Sequence, residues 1–204
     1  MLYQIHRYPA DLIDILELER DGERRRVVVR PVLPQDEALT GAFFAQLSAA
    51  ARRDRFLSPL REVPGPLIRR FTQVDYSNHV ALVAEVFEEA AEKVVAEARY
   101  VRSGTGESAE FAVAVAEDWQ GLGLARRLLR TLVCHAGRAG VTRLEGETLA
   151  SNAAMLHLAR VAGFTLRPDP EVRGLVRLDM TLRDMEARPL FPCGAAGAFA
   201  TAAA

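Results

Sequence analysis

The sequence predicts a single α/β domain, on three observations. A chain of 204 residues, half of them hydrophobic, buries one good core and is short for two complete domains. Short apolar runs with strand character alternate along the chain with segments whose apolar residues recur at helical spacing. Between residues 111 and 133, a short apolar run gives way at Glu117-Asp118 to a turn with Gly121 and Gly123. The spacing then changes to a helical stripe of Leu124, Leu128 and Leu132.

The elements follow in order. Ile13, Ile15 and Leu18 precede Asp21-Gly22, and Val27, Val28 and Val29 follow it; Asp-Gly between two such runs predicts a tight hairpin. Residues 1–26 are expected to form an accessory strand or hairpin arm, and 27–183 the main domain. Pro34-Gln-Asp-Glu37 opens a helix, because proline fits its first position and acids complement its positive end. Leu39, Phe43, Phe44 and Leu47 give that helix an apolar face. Helices over 49–55 and 67–72 flank a proline-punctuated loop, and strands follow at 80–86, 94–101 and 107–115. The helix after the glycine turn ends near Gly137 and Gly140. A strand at 143–149, a helix at 152–162 stopped by Gly163, and strands at 164–166 and 175–182 complete the domain. Residues 184–204 have no periodicity and an Ala/Gly-rich end, and read as a disordered tail.

Composition narrows the function. A formal net charge of −1 gives no overall attraction to nucleic acid or to an anionic membrane. No apolar run has the length of a membrane span and the first residues lack a secretory leader pattern, so a cytoplasmic protein is expected. Cys134 and Cys193 have neither metal-ligand spacing nor a disulfide framework; they read as bystanders, and no metal site is expected.

Two glycines at the mouth of a helix let a ligand approach the backbone, and the first-turn N–H groups there lack helical partners. Such a place suits an anion, and Arg126 and Arg127 stand near it in sequence. A dinucleotide fingerprint needs a small residue where Arg126 stands, and no Lys-Ser or Lys-Thr pair follows as a triphosphate loop requires. What Gln120-Gly121-Leu122-Gly123-Leu124-Ala125 resembles, with Arg126 behind it, is the acetyl-CoA pyrophosphate loop of the GNAT N-acetyltransferase superfamily. The order of elements over 27–182 is similar to that superfamily's as well. Arg55-Phe-Leu-Ser-Pro-Leu-Arg-Glu62, Thr72-Gln-Val-Asp-Tyr76, Val80-Ala-Leu-Val-Ala84 and Ala109-Glu-Phe-Ala-Val113 resemble one branch of it, the catalytic domain of bacterial protein lysine acetyltransferases. The resemblance implies a mixed, mostly antiparallel sheet flanked by helices. It also implies transfer of acetyl from acetyl-CoA to an amine, with a protein lysine as the leading acceptor.

The chemistry asks for a base. A lysine amine has a reference pKa near 10.4, so presenting it neutral at pH 7 costs about 4.6 kcal/mol. Strand alternation puts Glu110, Ala112 and Ala114 on one face of the run at 107–115, a carboxylate followed by two small residues. Glu110 also falls where the resembling branch keeps its general base, and its surroundings are expected to raise its proton affinity. Val113 and Val115 are expected to pair through their backbones with the pantetheine arm, as an added strand does. Asn152 matches a superfamily residue that contacts the CoA arm, but serves equally as a plain helix cap.

Ala159 stands where many GNAT enzymes carry a tyrosine that protonates the departing thiolate. Tyr76 and Tyr100 are the replacements in sequence, though core or rim roles suit both. The thiolate, with a reference pKa near 8.5, can also take its proton from water. Asp75, Tyr76, Asn78 and His79 precede a strand in the segment that in GNAT folds lines the acceptor side, and are candidates for amine binding. Arg52, Arg53, Arg55, Arg61, Arg69 and Arg70 read as a solvated face, or as a dock for an acidic protein or the CoA 3′-phosphate. A small-amine acceptor and a non-catalytic acyl-CoA sensor remain as rival readings, and the oligomeric state is not legible.

Overall fold

The computed structural model describes residues 7–88, 90–104 and 106–182. Eight strands form one sheet in the spatial order β1-β2-β3-β4-β5-β6-β8-β7. Strand β1 (Asp14–Arg20) pairs along its whole length with residues 23–29 of β2 (Glu23–Pro31) through a two-residue turn. Asp21 and Gly22 both have positive φ, 55° and 77°, the turn the Asp-Gly pair predicts. The boundary expected at residue 26 therefore falls inside a strand. The expected tail at 184–204 lies outside the described residues.

Three helices cover one face, α1 (Glu37–Gln46), α2 (Ala49–Phe56) and α3 (Gly65–Thr72). The residues expected to open α1 form a single 3-10 turn, Pro34–Asp36. Asp36 is buried at 3% exposure, accepts from the Leu33 N–H at 2.7 Å, and pairs with Arg30 at 2.6 Å. Arg30 also reaches Glu85 at 2.6 Å, so one guanidinium ties β2 to both the helix entry and the next strand.

Strands β3 (His79–Glu88), β4 (Ala91–Ser103) and β5 (Ser108–Val115) run antiparallel. Helix α4 (Leu124–Arg138) crosses to β6 (Arg143–Leu149), which lies parallel to β5. Helix α5 (Ala153–Val161) and strands β7 (Thr165–Pro168) and β8 (Leu175–Thr181) finish the chain, with β8 inserted between β6 and β7. The sheet is mixed and mostly antiparallel, as expected.

The core has two halves because β4 is buried on both faces. Its Tyr100 meets α4, where Leu124, Leu128 and Leu132 are joined by Leu129, Val133 and Ala136. On the other face Phe43, Phe44 and Phe71 pack from α1 and α3. The latter half also buries Glu97 and Arg99, an ion pair at 1% and 4% exposure. Burial alone would raise the Glu97 carboxyl, but Arg99 and Arg55 outweigh it and hold the group below the ordinary value. Cys134, on α4, is disulfide-bonded, a departure from the expected bystander thiol, and Cys193 lies outside the described residues. Among the described residues no helix is long and apolar enough to cross a membrane.

Candidate active site

The site begins where two strands stop pairing. β5 and β6 match at Ser108↔Arg143, Ala109↔Leu144 and Glu110↔Glu145, and their ladder ends there although both strands continue. The unpaired halves diverge into a fork, leaving the β5 backbone from Phe111 to Val115 without a neighbour on that side. The fork opens into a cleft of about 740 Å³.

The N-terminus of α4 closes the wide end of the cleft. Gly121 and Gly123 line it with φ of 77° and 79°, a left-handed conformation that favours glycine, and Gly123 is the N-cap. Leu124, Ala125 and Arg126 begin the helix on the cleft wall. Their N–H groups are first-turn donors with no acceptor inside the helix. Gln120 donates from Nε2 to the Val115 carbonyl at 3.1 Å, which fixes the turn to the end of β5. Leu122 packs against the core and does not line the cleft. Across the turn, Glu117 accepts from the Ser48 N–H at 3.0 Å, joining it to the start of α2.

Glu110 sits at the narrow end, exposed, in the last matched pair of the fork. Ala112 and Ala114 continue its face, while Val113 and Val115 line the cleft from the other. Asn152 lines the cleft and caps α5, its Oδ1 accepting from the Met155 N–H at 2.9 Å. The turn, Val113, Val115, Glu110 and Asn152 are thus gathered around one cavity from three separate stretches of sequence.

The acceptor candidates are not gathered there. Asp75 spends its carboxylate on its own loop, accepting from the N–H groups of Ser77, Asn78 and His79 at 2.8 to 2.9 Å. Burial pushes its carboxyl up, but those bonds outweigh it and leave the group below its usual value. Tyr76 donates to the Val32 carbonyl at 2.8 Å and stands edge-on to Tyr8, in a separate hollow. His79 heads β3 in the row Glu110↔Val101↔His79, two strands from the base candidate. Its Nε2 lies 3.0 Å from Arg99 Nη1, and burial, then the Arg99 charge, lowers its pKa to about 4. The ring is therefore neutral, with Nε2 accepting and the proton on Nδ1.

Other expectations also change. Tyr100 is fully buried on the α4 face and shares a 2.9 Å hydrogen bond with His135, so neither replacement tyrosine reaches the fork. The arginine run is not simply a solvated face. Arg52 turns back onto the carbonyls of Ala45 and Leu47, at 3.1 and 2.9 Å. Arg55 lies beside the stacked rings of Phe56 and Phe71 and reaches Glu97 at 3.5 Å.

Sequence reasoning missed two walls. One is α2 and the residue after it, presenting Ala50, Ala51, Asp54 and Leu57. The other combines Glu147 and Thr148 of β6 with Met155, His157 and Leu158 of α5. Thr148 is 1% exposed and its hydroxyl has no hydrogen-bond partner among the described residues. The spacing on α5 carried a signal, since Ala154, Leu158 and Val161 form one helical stripe.

A fork beneath a glycine-capped helix is a two-sided site for a long ligand. The family profile described as "Acetyltransferase (GNAT) family" matches residues 49–164, more than half of the chain. The chain belongs to the GNAT acetyltransferase family. It is 34% identical over 154 residues to Acetyltransferase PA5475 of Pseudomonas aeruginosa, covering 76% of this chain and 83% of that protein. It is 31% identical over 166 residues to Acetyltransferase Pat of Mycolicibacterium smegmatis, covering 80% of this chain and 48% of Pat. The chain thus spans about half the length of Pat. Among solved structures, the GNAT domain of S. lividans PAT matches with a TM-score of 0.75 at 30% identity, over 86% of this chain and 99% of that one. In this GNAT protein Ala159 is fully buried, so the helix offers no acid at that position.

Proposed function

We propose that this acetyltransferase moves acetyl from acetyl-CoA directly to a protein lysine, with Glu110 as general base. The observation that carries the reading is the fork itself, open from the α4 N-terminus at one end to the Glu110 carboxylate at the other. First-turn amides and the left-handed glycines fit a diphosphate, and the unpaired β5 edge at Val113 and Val115 fits an amide-bearing arm. Arg126 is exposed beside them as a counter-charge. The similarity to bacterial protein lysine acetyltransferases favours lysine as the acceptor, and a cytoplasmic reaction is part of this proposal.

Glu110 takes one proton from the lysine ammonium, directly or through a water, since its carboxylate is exposed at the narrow end. The neutral amine attacks the thioester carbon, the nitrogen gives its second proton to solvent, the carbon–sulfur bond breaks, and the thiolate leaves. Ala159 supplies no proton, so solvent protonates the sulfur, which a thiol of pKa near 8.5 permits. Holding both reactants in the fork supplies the orientation. Asp54 and Glu147 face the same cleft and give the acceptor side a negative character that suits a cationic amine.

The test is incubation with acetyl-CoA and either a cell lysate or a panel of small amines. Thiol release with new acetyl-lysine is the expected result. Thiol release with small amines alone would move the acceptor to that class, and binding without turnover would make the protein a sensor. Glu110→Gln should lower kcat/KM by about 10²- to 10⁴-fold and remove the acidic limb of the pH–rate profile. An unchanged rate would discard Glu110 as the base.

A further inference from the structure

At the closed end of the fork, Phe111 and Gly146 are the first residues beyond the last matched pair, Glu110↔Glu145. They meet as side chain on bare backbone. A Cβ added to Gly146 would lie 2.6 Å from Phe111 Cε1 and 3.0 Å from Cδ1. Gly146 is not at positive φ, so its backbone does not call for glycine; the space taken by the ring does. The ring also meets Phe164, with centroids 4.8 Å apart. Phe111 is 4% exposed, and it lines the cleft. The ring packs against both Gly146 and Phe164 beside the point where the strands come together.

An arm that enters between β5 and β6 from the α4 end can travel only as far as the strands stay apart. Its tip therefore ends at this ring. On the opposite face of β5 the neighbours are Glu110 and Ala112, so room lies on the amine side and not on the acyl side. From this geometry we propose that Phe111, seated on Gly146, is a size gate that admits acetyl and excludes longer acyl groups. The proposal rests on the acetyl-CoA reading above.

The test measures dissociation constants and kcat/KM for acetyl-CoA and butyryl-CoA, taken as a ratio within each variant so that any loss of folded protein cancels. Wild type should favour acetyl-CoA by at least about tenfold, the scale of discrimination a packed apolar pocket gives for one or two methylenes. Phe111→Leu should narrow the ratio and Phe111→Ala should bring it near unity. Gly146→Ala should widen it, because the new methyl takes the space of the ring and pushes it toward the arm. Equal affinities in wild type, or a ratio that none of the three variants moves, overturns the gate. If acetyl-CoA and butyryl-CoA both bind but neither is turned over, the proposed activity falls and the affinity ratio still judges the gate. If neither binds, both readings fall.

Discussion

Lowering the pH from 7 to 5 should weaken this fold through His79, an effect with a definite sign. Burial is the larger cause of its lowered pKa and the Arg99 charge the next, with Arg70 adding and Glu97 and Asp75 opposing. In the unfolded chain the ring takes up a proton near pH 6.5, while in the folded protein it resists until about pH 4. Below pH 6.5 the unfolded state therefore binds more protons, and stability is lost as pH falls through that window. The linkage relation gives a loss of about 2 kcal/mol between pH 7 and pH 5, and about 3 kcal/mol in all by pH 4. The physical reason is local. A proton on Nε2 would replace the acceptor of the Arg99 N–H with a second positive charge in a site that already excludes water. Urea unfolding at pH 7 and pH 5, for wild type and His79→Gln, isolates this contribution. His135, whose pKa is also lowered by burial, cancels in the comparison. Parallel losses in the two proteins would refute the reasoning.

Thr148→Val removes a buried hydroxyl without a partner and should raise stability by about 1 kcal/mol, read as a higher Tm. Gly123→Ala forces a Cβ into φ of 79° at the α4 N-cap. It should cost roughly 1 to 2 kcal/mol and weaken CoA binding in calorimetry. Arg55→Met deletes one of the two cations around buried Glu97, so thermal unfolding should fall by about 3 kcal/mol, with α2 losing hydrogen-exchange protection first.

What was legible in the sequence was local. Asp21-Gly22 announced its hairpin because both residues tolerate positive φ, and the change from short apolar run to helical stripe marked the turn at Gly121 and Gly123. Alternation placed Glu110, Ala112 and Ala114 on one face for the same reason. What was not legible needs partners distant in sequence. Six arginines within 52–70 look like a solvated run. Only the fold reveals that Arg52 is consumed by carbonyls at the end of α1 and that Arg55 is drawn inward by Glu97, forty-two residues on. Asp75 and Tyr76 have the chemistry of acceptor ligands, but the loop they form is held together by that same chemistry.

The fork shows the boundary most clearly. Periodicity finds two strands and cannot say that they pair over three residues and then separate, because the ladder depends on which side chain lies opposite which backbone. Phe111 alone reads as one more apolar residue on the buried face of a strand, and Gly146 alone as a glycine that weakens one. Brought together by the Glu110↔Glu145 register, they explain each other, since the ring takes the space that a Cβ on Gly146 would occupy. A variant that fills Gly146 or empties Phe111 thus disturbs the site through its geometry while leaving every polar group of the cleft in place.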